Sequence, residues 1–436
     1  MLDIAALMKT APLGDSRLNN RALMLVTGII QGQASATHGP EGVGHRRPWP
    51  HAMGAFRFFD NDRVQLPALY EPCRNALREL VAPGQRCYVM HDVSVVDYSG
   101  HQAKEDLIPV GNNKGYGYEL FSSLVVSAQG RPLGPVMQEL RTMKGVLSSE
   151  SPTPLPFVDH MTQVECAYEA MQRCLPQREV VQVADREFDD LQLLRFIDGQ
   201  RGLYLIRAQH LGRWVSWSEE PMTLKQVVSQ IALSQGASVQ KNEKEYELWV
   251  GETEVVFNGK SFRGVAQGRN KPQPGSPIKV RVIVSELRIP GQKPLQWVLL
   301  TNLQDPLADV VQAYVWRWRI ERFFYLNKVG LRLEHWQQES GERIARRLAI
   351  SQLAAMAVYQ MQTAAETDPE MGKLIKIVAT LGGWLGRKQD PIGPIVLMRG
   401  MLLVLGWVTA VEEFGEEKLR EVAQKLRSSV GLPTRT

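Results

Sequence analysis

The sequence predicts a mixed α/β protein: a central sheet carrying a β-rich insertion, with helical segments at both ends. Two observations place the sheet. Three strand-like segments follow one another, residues 87–96 (CYVMHDVSVV), 120–127 (LFSSLVVS) and 133–140 (LGPVMQEL), separated by turn residues such as Ala128-Gln129-Gly130-Arg131. The pattern then alternates: a helix-like stretch over 156–175, a strand over 179–184 (EVVQVA), a helix over about 189–198 and a strand over 203–207 (LYLIR). A meander followed by alternation suggests one mixed sheet. A third observation places the insertion, because residues from about 210 to 300 abandon the alternation for strand patterns at 246–250, 255–258, 279–287 and 295–301.

The ends read as helices. Residues 22–31 carry a helical apolar period, a Gly/Pro/His-rich loop at 38–50 interrupts it, and residues 52–59 resume it. Arg17, Arg21, Arg46, Arg47, Arg57 and Arg63 are candidate surface cations of this module. From residue 307 the pattern is helical through 363, and a last helical region follows Glu366-Thr367-Asp368-Pro369. The expected division is 1–78, 79–365 with the insertion at about 210–300, and 366–436.

Composition narrows the class. The chain has 436 residues, 44% hydrophobic and 22% charged, in the range of globular proteins rather than disordered or fibrous ones. The N-terminus has no basic start followed by an apolar run, so no signal peptide is expected. The longest apolar stretch, residues 400–411 (GMLLVLGWVTAV), reads as a buried helix too short to span a bilayer. Cys73, Cys87, Cys166 and Cys174 lack metal-ligand spacing and read as buried free thiols of a reduced, cytoplasmic protein. The net charge is only +5, yet residues 257–293 hold eight Lys/Arg against the single acid Glu286. That local excess reads equally as a nucleic-acid footprint or as a solvated loop region.

The chemistry concentrates in Tyr314, Arg317, Glu321 and Lys328, spaced by three, four and seven residues. On an α-helix these steps share one broad face. A carboxylate flanked by two cations and a phenol suits a phosphodiester, the acid holding a metal and the bases the phosphate oxygens. Two further acids stand where such a site would need them. Asp92 lies inside an apolar strand, where an unpaired carboxylate is costly. Asp185 ends the strand 179–184, at the edge where α/β sheets commonly place their sites. Each has a plainer reading: Asp97 competes with Asp92, Asp185 could cap the next helix as could Asp189 or Asp190, and Glu321 could be an i,i+4 ion pair with Arg317. Taken together, three acids from separate elements could converge on a pair of divalent cations.

Tyr314, Arg317, Glu321 and Lys328 resemble the Y-x2-R-x3-E-x6-K signature of the insertion-sequence-four family of bacterial DDE transposases. The resemblance extends along nearly the whole chain. HDVSVVDYS around Asp92 is similar to the family's first acidic strand, residues 113–134 to its glycine-bounded second and third strands, and Asp185-Arg186-Glu187 to its D-R-E segment. Residues 13–17 and 55–59 resemble its N-terminal end-recognition module, and Leu381-Gly382-Gly383 the start of its C-terminal dimerisation region. The chain departs from the pattern in three places. Val93-Ser94 replaces a hydroxyl pair, the run between Glu321 and Lys328 is apolar and lacks an extra Lys, and Glu334-His335-Trp336 replaces a more basic run.

The resemblance implies a ribonuclease H-like core and a homodimeric enzyme that nicks, forms a hairpin, excises and inserts its own element. Asp92, Asp185 and Glu321 would be the catalytic metal ligands for two Mg²⁺, with Mn²⁺ as substitute. Tyr314, Arg317 and Lys328 would contact the DNA. Trp297 would stack on a flipped base, although its apolar strand reads more plainly as core. The partners would be the terminal inverted repeats of the element and a target duplex, in a cytoplasmic, nucleoid-associated setting. A catalytically silent DNA-binding descendant and a purely structural protein are the rival readings.

Overall fold

The computed structural model describes residues 2–30, 34–35, 39–40, 48–101, 103–111, 114–241, 244–259, 261–264, 270–273, 275–386 and 392–429. Arg46, Arg47, Asn113, Lys260 and Arg269 lie outside the described residues. Four helices lead the chain: α1 (Ile4–Lys9), α2 (Ser16–Ile30), α3 (Pro48–Phe59) and α4 (Leu66–Leu80). Asp3 caps α1 by accepting from the Ala6 amide at 2.9 Å.

The sheet follows. Strands β1 (Arg86–Asp97), β2 (Gly115–Ser127) and β3 (Pro132–Thr142) form an antiparallel meander. Helix α5 (His160–Cys174) leads to β4 (Glu179–Ala184), and α6 (Leu191–Gly199) to β5 (Leu203–Arg207). Strand β4 runs parallel to both β1 and β5, so the order is β5-β4-β1-β2-β3. Val180, Val181, Val183 and Ala184 of β4 are all buried, as a parallel strand covered on both faces requires.

The insertion is a continuation of this sheet rather than a separate body. After short helix α7 (Leu224–Gln230) come β6 (Val239–Lys241), β7 (Lys244–Phe257), β8 (Ile278–Arg288) and β9 (Leu295–Thr301). β9 pairs with β5 through Leu299↔Arg207, Leu300↔Ile206 and Thr301↔Leu205, which covers an otherwise open edge. The expected strands at 246–250 and 255–258 are one strand, β7, paired with β8 over its length from Glu247↔Arg288 to Phe257↔Ile278. Gly251 sits at the apparent break, where an added Cβ would come within 2.3 Å of the Ala232 carbonyl oxygen. A further hairpin, Trp214–Trp217 with Glu220–Thr223, extends the sheet without any expectation from the sequence. Its turn residues Ser218 and Glu219 both adopt positive φ, 51° and 71°, without the Asn-Gly pair that usually announces such a turn.

The expected helix from 307 to 363 is interrupted. It comprises α8 (Leu307–Trp316), α9 (Trp318–Tyr325), a π-helical turn over Leu326–Gly330, and α10 (Gly341–Thr367). The wide turn closes on a bond from the Leu331 amide to the Leu326 carbonyl at 2.9 Å, and Arg332 then takes φ 55°. It turns Leu326 and Asn327 into the core, where the Gln352 side chain donates to Asn327 Oδ1 at 3.0 Å. Much of the apolar run after Glu321 is therefore core: Phe323 and Phe324 are buried as well, while Tyr325 is exposed.

Helix α10 is buried from Ile344 through Tyr359, between the sheet and the N-terminal helices. Its buried Arg346 donates to the carbonyls of Val64 at 2.8 Å and Phe59 at 2.7 Å, tying the N-terminal helices to the core. Helices α11 (Pro369–Leu381), α12 (Pro394–Phe414) and α13 (Glu416–Ser429) complete the chain. The crossing of α11 and α12 depends on two glycines: a Cβ on Gly400 would lie 1.7 Å from the Val378 carbonyl oxygen, and one on Gly382 would lie 1.9 Å from that of Val396. The expectation of a short buried helix at 400–411 is corrected. Residues 394–412 form one apolar helical stretch, long enough by length and composition to cross a bilayer, and only 25% of it is buried. Of the four free cysteines, Cys73, Cys87 and Cys174 are buried and Cys166 is exposed.

His91 shows how tightly the sheet is filled. Its ring is fully buried, with Nδ1 2.9 Å from the Ser123 hydroxyl and Nε2 2.8 Å from Gln182 Oε1, so it bridges β2, β1 and β4. Burial pushes its pKa down to about 4. The unfolded chain therefore binds the extra proton first, and folding stability falls as pH drops from about 6.5 to 4. This group alone contributes up to about 3 kcal/mol of that loss. Urea unfolding of the wild type and a His91→Leu variant at pH 7 and pH 5 checks this: the variant is expected to lose less stability between the two pH values.

Candidate active site

The register of three parallel strands builds the site. His91 of β1 pairs with Ala184 of β4, and Ala184 pairs with Ile206 of β5. One residue further along each strand, Asp92, Asp185 and Arg207 stand side by side at a spacing of roughly 5 Å between neighbouring strands. Arg207 Nη1 lies 3.7 Å from Asp185 Oδ1. Asp97 is excluded from this row. It lies at the far end of β1, where its carboxylate accepts from the Ser99 amide at 2.8 Å and hydroxyl at 2.6 Å.

The capping alternatives for the second acid separate in the same way. Asp190 caps α6, accepting from the Gln192 and Leu193 amides at 2.8 and 2.9 Å. Asp189 is buried and committed to Arg213 at 2.5 Å and to the Gln209 and His210 amides. Asp185 accepts from the Arg186 amide through Oδ1 at 2.7 Å, at the start of a single turn, with Oδ2 3.7 Å from Arg317.

The third wall comes from the α8–α9 junction. The backbone tightens at Arg317, whose amide bonds to the Tyr314 carbonyl at 3.0 Å while its own carbonyl accepts from Ile320 at 3.1 Å. The Arg317 guanidinium reaches all three candidate acids: Asp92 at 3.6 Å, Asp185 at 3.7 Å and Glu321 at 2.5 Å. The Tyr314 hydroxyl lies 3.2 Å from Asp185 Oδ1. Burial raises the Asp92 pKa to about 6, helped by the Glu321 and Asp185 charges and opposed by the Val93 amide and Arg317. Burial also raises the Tyr314 pKa, so the phenol stays protonated and donates.

Two expected residues stand differently. Lys328 does not share the face of the other three. The π turn carries it toward β1, where its ammonium donates to the Val95 carbonyl and pairs with Glu334 at 3.3 Å. Trp297 is only 9% exposed, so much of it is core, yet its ring meets Tyr314 edge-on at 5.0 Å and thus borders the site. The sequence reading missed Arg207, Trp318 and Lys241. Arg207 had the same strand-end signal as Asp185. Trp318 is 38% exposed beside Arg317, and the Lys241 ammonium lies over both Trp297 and Trp318.

Part of the insertion's apparent charge excess is paired among the described residues. Lys279 meets Glu254 at 2.7 Å, Arg288 meets Glu286 at 2.5 Å, and Arg281 bonds to Glu252. Glu252 and Glu254 lie on β7, outside the 257–293 window, so cross-strand pairing removes charge that the linear count left unmatched.

All-oxygen donors of this kind suit Mg²⁺ or Mn²⁺. No three His, Cys, Asp or Glu side chains among the described residues close on a single point; Asp92, Asp185 and Glu321 are gathered around a guanidinium. Replacing Arg317 by Met leaves these three carboxylates facing one another. The variant is expected to melt a few degrees lower than wild type and to regain more of that loss on adding millimolar Mn²⁺ than wild type gains. Thermal melts with and without Mn²⁺ check it, and equal metal responses would count against the arrangement.

Residues 162–357 match the family model described as a transposase DDE domain. The matched span runs from α5 through β4, β5 and the insertion to the middle of α10. It includes Asp185, Arg317 and Glu321, while Asp92 precedes it. That match over the carboxylate-bearing region supports a DDE transposase family for this chain.

Proposed function

We propose that the protein is the transposase of an insertion sequence of the insertion-sequence-four type, moving that element by cut-and-paste transposition. The observation that carries the reading is the convergence of Asp92, Asp185 and Glu321, from a strand, a strand end and a helix, on Arg317. Asp92, Asp185 and Glu321 would hold the divalent ions, two Mg²⁺ with Mn²⁺ as substitute. Bound there, the ions would supply activation of the attacking oxygen and charge stabilisation of the leaving oxygen in an in-line displacement. Arg317 would exchange carboxylates for the scissile phosphate through charge-assisted hydrogen bonds. Tyr314 would donate its hydroxyl to the same strand, and Lys328 would contact the backbone further along β1. Trp297 would offer its ring to a base extruded beside the cut. Hydrolysis, hairpin formation and strand transfer would follow as successive displacements at one site.

The proposed partners are the terminal inverted repeats, read by helices of the 1–78 segment, a target duplex, and a second copy of the chain. Pairing of protomers through the 366–436 segment is supported by apolar side chains exposed among its described residues. Leu374, Ile377 and Leu381 of α11 and Leu403, Trp407 and Val408 of α12 are large, hydrophobic and 43–59% exposed.

Strand cleavage on duplexes ending in the inverted repeats that flank the gene tests the catalytic reading. Wild type is expected to cut with Mg²⁺. Asp92→Asn, Asp185→Asn and Glu321→Gln are each expected to lose roughly a thousandfold or more in rate while still binding DNA. Wild-type binding without cleavage would favour the silent descendant instead. For the dimer, an Ile377→Glu, Trp407→Glu double variant is expected to bind single ends but to form no paired-end complex in native gels. Paired complexes at wild-type yield would sink that assignment.

A further inference from the structure

Lys241 is an insertion cation placed against the candidate site. Strand β6, which carries it, is a three-residue hairpin arm paired with the start of β7, with Lys241 opposite Lys244. Two hydrogen bonds clasp this arm to α8. The Gln240 amide donates to Gln312 Oε1 at 2.9 Å, and Gln312 Nε2 donates to the Gln240 carbonyl at 3.1 Å. Gln312 lies two residues before Tyr314, so the clasp fixes the insertion to the helix that bears the site. Val239 is buried beneath the arm and anchors it from the other side.

The clasp suspends the Lys241 ammonium 5.2 Å from the Trp297 ring centroid and 5.8 Å from that of Trp318. Both distances are near the outer limit of a cation–π contact, so the hold is weak. Among the described residues Lys241 forms no ion pair with a carboxylate, whereas Lys279, Arg281 and Arg288 of the same insertion do. Burial lowers its pKa, with Arg317 and Arg207 acting in the same direction and Glu321 opposing. An ammonium that lies over indole faces and, among the described residues, in no ion pair can be surrendered to a stronger anionic partner. A phosphodiester oxygen offers a charge-assisted bond of that kind.

The geometry points to Lys241 as a positioning residue that grips the DNA phosphate of the nucleotide whose base lies against Trp297 and Trp318. This rests on the transposase reading above. The insertion would then couple base extrusion to the cut, because one clasped arm places the cation while α8 and α9 place Tyr314, Arg317 and Trp318. A phosphate contact of this sort acts on the backbone and is insensitive to base identity.

The test uses the full chain and inverted-repeat duplexes carrying 2-aminopurine at the positions flanking the cut. Fluorescence on binding, with Ca²⁺ in place of Mg²⁺, reports base unstacking, and Mg²⁺-dependent cleavage is measured in parallel. Lys241→Ala is expected to lose most of the fluorescence rise and about tenfold or more of the cleavage rate at saturating DNA. Its binding should weaken with a salt dependence reduced by about one ion. Lys241→Arg should restore both signals. Lys241→Ala with wild-type fluorescence and cleavage overturns the role of Lys241 while leaving the transposase reading intact. A wild-type protein that neither cuts nor raises the fluorescence overturns both.

Discussion

Arg317 sets the constraint on which the candidate site depends. One guanidinium lies within 3.7 Å of three carboxylates that come from β1, from the end of β4 and from α9. Three like charges this close, each only partly exposed, repel one another by amounts that matter at the low effective dielectric of a protein interior. Two offsets are visible. The guanidinium lies between the carboxylates, and burial favours the neutral form of Asp92, raising its pKa to about 6. The price of the arrangement is a buried cation whose own desolvation is repaid only while all three acids remain in reach.

Everything around Arg317 serves to hold that geometry. The parallel register of β1, β4 and β5 brings Asp92 and Asp185 level. The tightened backbone at the α8–α9 junction turns Arg317 inward while keeping Tyr314 and Glu321 on either side. The insertion extends the same sheet through β9 and β5, so Trp297 reaches Tyr314 along hydrogen-bonded strands rather than on a free loop. The Gln240–Gln312 clasp returns the far side of the insertion to α8. Strands and packed helices hold side chains more closely than loops do, which is what the proposed in-line displacement demands.

The C-terminal helices follow a different logic. Gly382 and Gly400 let α11 and α12 cross at backbone contact, which fixes their mutual packing. Leu403, Trp407, Val408 and Phe414 of α12 nevertheless stay exposed.

Much of this was legible from the residues. Strands Glu179–Ala184, Leu203–Arg207 and Leu295–Thr301 were expected at their observed bounds, because short apolar runs between turn residues have few alternatives. The grouping of Tyr314, Arg317 and Glu321 was also legible, since steps of three and four stay on one helical face and survive a local tightening. Lys328 was not, because a step of seven crosses the π turn, and a single widened turn rotates everything after it. The partners of the basic insertion residues and the places of Arg207 and Lys241 were decided by tertiary structure alone. Each depends on which residue stands opposite on a neighbouring strand or helix. Strand register is a property of pairing between distant segments, and linear spacing does not encode it.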